Sequence, residues 1–172
     1  MSRARGTRDP MTALARRAPR GTGIVALAAF VAVCAAVAAG GALAAADSGA
    51  TYAALQRPSW APPSWLFGPV WTVLYASIAV SGWLVWRRIG FGNAFWPYGV
   101  QLALNAAWTP VFFAADAYGA AVAVIAALWL AIGANVHAFR RHDRGAALLL
   151  LPYWAWVTFA GALNLAIWWL NR

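Results

Sequence analysis

The sequence predicts an all-α integral membrane protein, a bundle of five transmembrane helices, and three observations predict it. The 172 residues are 63% hydrophobic and only 10% charged, where an ordinary soluble domain carries roughly 25% charge. Five apolar runs, each near the ~20 residues that a bilayer-crossing helix needs, are joined by polar connections. The arginines gather at alternate ends of those runs.

Taken in order, residues 1–22 form a polar, Arg-rich tail expected to be disordered, with Met11 as an alternative start. The apolar run 23–46 comes next. A basic tail and the small residues Ala44-Ala45-Ala46 also fit a signal peptide. The run exceeds the ~7–15 residues of a signal core, which favours a retained helix. Cys34, the sole cysteine, lies in this run as a core or lipid-facing residue; no intramolecular disulfide or cysteine-type metal cluster can form.

Residues 47–66 make the first connection, a long loop carrying Tyr52, Arg57, Trp60, Pro62, Pro63 and Trp65. Pro62 and Pro63 stiffen it, and Pro69 falls in the first turn of the second span, where a missing N–H is tolerated. That span, 67–86, stops at Arg87-Arg88; the third covers 95–115, and the fourth, 119–138, stops at Arg140-Arg141. The fifth covers 146–170. Pro110 predicts a kink in the third span and Pro152 one in the fifth. Residues 23–172 read as one domain, without an internal repeat.

Eleven arginines (3, 5, 8, 16, 17, 20, 87, 88, 140, 141 and 144) fall on the side of the N-terminus, and only Arg57 and Arg172 on the other. Arginine excess marks the cytoplasmic side, so the N-terminus is expected inside and the aromatic loop outside, in a bacterial cell membrane. Topology also explains the net charge of +9 without invoking nucleic acid.

Phe67, Trp71 and Tyr75 recur at four-residue spacing and share one helix face. Gln101, Asn105, Trp108 and Phe112 line a face of the third span, and Tyr153, Trp156, Ala160 and Asn164 a face of the fifth. Alternating helix directions set Tyr75, Asn105 and Trp156 near one depth. Amides in hydrocarbon require partners or a cavity. One reading is an aromatic pocket, lidded by Trp60, Pro62 and Pro63, that takes a flat lipophile with a polar edge. The other is that the amides join neighbouring helices and the loop tryptophans anchor at the interface.

Conventional catalysis finds no constellation. His137 and His142 sit at the arginine-rich end, and the four aspartates lie in tails or loops. No carboxylate pair, nucleophile triad, metal set or intramembrane charge can be assembled from them.

Three motifs together resemble the TspO, or translocator protein, family: Trp60-x-Pro-Pro-x-x-x-Phe67-x-x-x-Trp71-x-x-Leu-Tyr75; Gln101-Leu-x-Leu-Asn105-x-x-Trp108-x-Pro110-x-Phe-Phe113; and Pro152-Tyr153-x-x-Trp156-Val-x-Phe-Ala160-x-x-Leu-Asn164. The resemblance implies five helices around a pocket capped by the first loop, commonly as a homodimer. It implies binding of porphyrins such as protoporphyrin, of sterols in animal members, and of benzodiazepine-type ligands, with no obligatory cofactor. Trp71 and Trp156 match the porphyrin-reactive tryptophans; Asn105, Trp108 and Ala160 match pocket-lining positions. Leu165 and Ala166 follow Asn164 where the animal sterol motif has Tyr, which favours porphyrin over cholesterol. The resemblance implies three functions: a porphyrin receptor or sensor in tetrapyrrole homeostasis or stress response, a tetrapyrrole or lipophile transporter, and a light- and oxygen-dependent porphyrin-degrading activity.

Overall fold

A computed structural model describes residues 20–45 and 48–172, and among these every regular element is helical. The disordered tail expected over 1–22 lies outside the described residues except for its last three, which begin the first helix. The helices are α1 (Arg20–Ala44), α2 (Ser48–Ala54), α3 (Phe67–Ile89), α4 (Trp96–Thr109), α5 (Tyr118–Arg140), α6 (Arg144–Leu149) and α7 (Leu151–Leu170). Four segments, Gly23–Ala44, Ser64–Ile89, Tyr118–Arg140 and Arg144–Leu170, are long and apolar enough to cross a membrane. Only 11–39% of the most apolar stretch of each is buried, so most of this apolar surface faces outward, as lipid contact requires.

The third span departs from a plain helix. At 14 residues α4 is about 21 Å long, short of the ~30 Å hydrocarbon core. A π-helical turn, Pro110–Ala114, extends it. Pro110 has no N–H to give to the preceding turn, and the ladder widens until Ala115 N–H reaches the Pro110 carbonyl at 3.0 Å. The kink expected at Pro110 is therefore a π turn.

The fifth span also corrects the sequence reading. The helix breaks at Leu150, between α6 and α7, and Pro152 occupies the first turn of α7 instead of kinking a continuous helix. In that position its missing N–H leaves no bond unmade. The first connection is not all loop: α2 occupies its start and a 3-10 turn, Ser64–Leu66, its end. The shorter predicted second span runs on through Arg87-Arg88 to Ile89 and stops at Gly90, whose φ of 69° favours glycine.

Packing places α1 against α3 and α4, α5 against α4, α6 and α7, and α3 against α6. Cys34 turns inward, 2% exposed, with Sγ 3.8 Å from the Tyr98 hydroxyl. Around it at the arginine-rich end lies an aromatic cluster that the sequence reading missed. Phe30 meets Tyr98 edge-on at 5.9 Å, and Tyr98 stacks on Phe139 at 5.7 Å.

Asp143 caps α6: Oδ1 accepts from Ala146 N–H at 2.9 Å, and Arg88 Nε donates to Oδ2 at 2.6 Å. The Ala146 amide and then Arg88 hold the carboxyl below its usual range, against the opposing effect of burial. A depressed carboxylate stabilises the fold above its unfolded pKa, ~3.9, and loses that contribution as pH falls through the folded value. Asp143→Ala should therefore lose about 1 kcal/mol at neutral pH. Thermal melts in detergent should show the gap from wild type closing below pH ~3.9; a gap independent of pH would assign the loss to packing.

Candidate functional site

The three predicted faces do converge, on a chain of hydrogen bonds. Tyr75 donates its hydroxyl proton to Asn105 Oδ1 at 2.7 Å, and Asn105 Nδ2 donates to the Tyr153 oxygen at 2.8 Å. Tyr153 donates onward to Gln101 Oε1 at 2.9 Å. Three helices, α3, α4 and α7, are thereby tied at one level. Simple periodicity supplies this: Gln101 and Asn105 are one turn apart on α4, and Tyr153 is inward-facing on α7. A second link lies farther along, where Trp108 Nε1 donates to Asn164 Oδ1 at 3.0 Å and Asn164 Nδ2 to the Tyr118 carbonyl at 3.0 Å. The amides Asn105 and Asn164 thus join neighbouring helices.

Beside this chain the rings form a wall. Trp71 lies 5.4 Å from Tyr75 and 6.1 Å from Tyr153, between centroids. Trp156 meets Phe67 at 6.0 Å and Phe159 at 5.4 Å, and Trp60 of the loop closes edge-on over Phe159 at 5.8 Å. Trp156 therefore sits at the level of Phe67, whereas Tyr153 occupies the depth shared by Tyr75 and Asn105. The depth expected for Trp156 was one turn too deep, because α7 starts at Leu151 with Tyr153 as its first inward ring. Ala160, 7% exposed, presents only a methyl to the interior one turn beyond Trp156.

The loop is fastened to this wall. Tyr52 donates to the Pro62 carbonyl at 3.1 Å, packs edge-on against Phe67 at 5.6 Å, and carries the Arg57 guanidinium 4.6 Å above its ring. Burial raises the Tyr52 hydroxyl above the ordinary phenol range, outweighing Arg57, so it remains a donor at physiological pH. Gln56 is held at both backbone atoms: its N–H donates to Asn171 Oδ1 at 3.0 Å, and Asn171 Nδ2 donates to its carbonyl at 2.9 Å. Pro62 is half-buried as the acceptor; Pro63 is exposed and starts the 3-10 turn. Trp65, 70% exposed, projects outward as an interfacial anchor would.

Two buried donors along this wall make no hydrogen bond, Trp156 Nε1 and Gln101 Nε2. Tyr52, Tyr118 and Phe159 are site neighbours that the sequence reading did not select. Phe159 was findable three residues after Trp156; Tyr52 and Tyr118 lie outside any helical stripe. Trp129 and Trp154, by contrast, pack on each other at 5.1 Å between α5 and α7, with Trp129 Nε1 bonded to Thr158, away from these rings. Two open grooves stand out on the protein, and both are elsewhere: one along Gly92, Phe95 and the first two turns of α4 to Ala103, and one of about 530 Å³ beside α5 and α6. The rings of the wall touch one another instead of bounding either groove. Among the described residues no group of His, Cys, Asp or Glu could hold a metal ion.

Comparison with known proteins agrees with this architecture. The TspO/MBR family model matches residues 29–170. The chain is 42% identical over 122 residues to the human translocator protein, covering 68% of this chain and 72% of the relative. It is 40% identical over 135 residues to the tryptophan-rich sensory protein of Cereibacter sphaeroides, covering 78% and 84%. Protein CrtK of Rhodobacter capsulatus is 40% identical over 129 residues, 72% and 79% of the two chains. The match spans the first connection, the π turn and the three ring-bearing helices together, and the chain belongs to the TspO/MBR family of integral membrane proteins.

Proposed function

We propose that the protein is a membrane receptor for porphyrins of the protoporphyrin type, bound between the loop and the rings of α3 and α7, with a role in tetrapyrrole homeostasis or stress response. The observation that carries this reading is the unpartnered indole N–H of Trp156 within a wall of Phe67 and Phe159 rings under Trp60. A flat conjugated ligand with a carboxylate edge supplies what that wall lacks: a face for the rings and an acceptor for the donor. Since the rings pack on one another, the ligand enters by displacing Trp60 and the loop. Trp71, one helical turn past Phe67 on α3 and in edge contact with Tyr153, forms the floor. The arginine bias supports a mouth on the outer face of the membrane, with the N-terminus inside.

Titration of the purified protein with protoporphyrin should quench tryptophan fluorescence saturably. Trp156→Ala should weaken the apparent Kd about tenfold, the loss of one stacking partner and one hydrogen bond. Trp129→Phe, on the far side of α7, should leave it unchanged. Equal affinities for Trp156→Ala and wild type would place the site elsewhere.

A further inference from the structure

We propose that the groove beside α5 and α6 is a binding site for an anionic phospholipid, independent of the aromatic site. It is lined by Arg140, Arg141 and Arg144 at one end and by Val136, Leu148 and Leu151 on its apolar side. Charge is the first argument. Asp143 is the acid at this end of the described protein, and it is committed to Arg88 and to the Ala146 amide. No ion pair among the described residues uses the three groove arginines, so three guanidinium-bearing residues line one groove without a carboxylate partner there.

Arg141 is also positioned. Its Nη2 donates to His137 Nε2 at 2.8 Å, one turn back along α5, which restrains the guanidinium of this groove-lining residue. A guanidinium offers phosphate two parallel N–H bonds, and several of them around one phosphate form a cluster of charge-assisted bonds.

Shape is the second argument. Leu148 is 62% exposed and Leu151 41% exposed, and both continue from the arginines toward the apolar girth of the bundle. An acyl chain descending from a headgroup phosphate would cover them, whereas inorganic phosphate would leave them bare. The break between α6 and α7 sets the two leucines, three residues apart, on the rim of the groove. An anionic lipid therefore satisfies both halves, and a zwitterionic lipid satisfies the apolar half alone.

The test uses the full chain in phosphatidylcholine nanodiscs doped with phosphatidylglycerol, released for native mass spectrometry. Wild type should retain about one phosphatidylglycerol against a large excess of phosphatidylcholine, and millimolar inorganic phosphate should not displace it. Arg144→Gln should lower retention about tenfold, and the triple substitution at Arg140, Arg141 and Arg144 to Gln about a hundredfold or more. Arg87→Gln, at the same end but lying over the Trp83 ring, should keep the lipid. Equal losses for Arg87→Gln and Arg144→Gln would show a diffuse charge effect and overturn the site. Displacement by inorganic phosphate would overturn it as well. Should the triple variant fail to fold, the two single substitutions decide.

Discussion

Gly82→Ala is expected to lower stability by about 2–3 kcal/mol, a large effect for the addition of one methyl group. An added Cβ would stand 2.8 Å from Phe30 Cε1 and 2.8 Å from both Cζ and the hydroxyl oxygen of Tyr98. Neither ring can swing aside freely. Tyr98 is stacked on Phe139 and donates to the Ile78 carbonyl at 3.2 Å, while Phe30 is wedged against Tyr98 and is one of the side chains that α1 buries. The methyl therefore pries α1 from α3 or breaks the Tyr98 bond. Helix propensity works the other way, since alanine is favoured over glycine by up to ~1 kcal/mol. Gly99→Ala isolates that term, because nothing lies within 4 Å of its added Cβ. Thermal melts in detergent should show Gly99→Ala at or above wild type and Gly82→Ala well below it; coincident melts would mean that α1 does not seat as described.

Tyr153→Phe should be the most damaging single-atom deletion in the site, at about 2 kcal/mol. The hydroxyl is fully buried and serves two partners. Its removal leaves Asn105 Nδ2 without an acceptor and Gln101 Oε1 without a donor, and Gln101 Nε2 already makes no bond. Each stranded buried group costs about 1–3 kcal/mol in a soluble core. Membrane interiors discount this toward ~0.6 kcal/mol per bond, since the separated helices also find partners. Tyr75→Phe removes one bond, from the end of the chain, and should cost less than half as much. Equilibrium unfolding of both variants in bicelles tests the order, and a larger loss for Tyr75→Phe would contradict a chain running through Tyr153.

Much of this architecture was legible because a bilayer simplifies inference. Apolar runs and arginine bias located the spans, and four-residue spacing identified Tyr75, Gln101, Asn105 and Tyr153 before their contacts could be seen. Periodicity fails where the helix itself changes period. The π turn at Pro110 widens the end of the third span, and the break at Leu150 restarts the fifth at Leu151, which is why spacing alone sets Trp156 one turn too deep. It also cannot tell which ring of a buried stripe meets which. The Phe30–Tyr98–Phe139 cluster joins three helices whose pairing no spacing encodes, and its members read singly as interchangeable apolar residues. Gly82 carried no signal at all, since the need for glycine there arises from side chains 52 residues before it and 16 after. The loop was readable as rigid from its prolines, but its fastening by Asn171 was not.

That fastening has an assembly consequence. Gln56 and Asn171 are 115 residues apart, and Asn171 comes after the whole fifth span. As the chain emerges from the ribosome and its spans partition one by one, the loop is made early and has nothing to hold it. Its partner arrives only after α7 has been laid in the membrane. The fastening of the loop beside the rings is therefore completed last, after the insertion event that brings Tyr153 and Trp156, so no partly synthesised intermediate carries the finished aromatic wall.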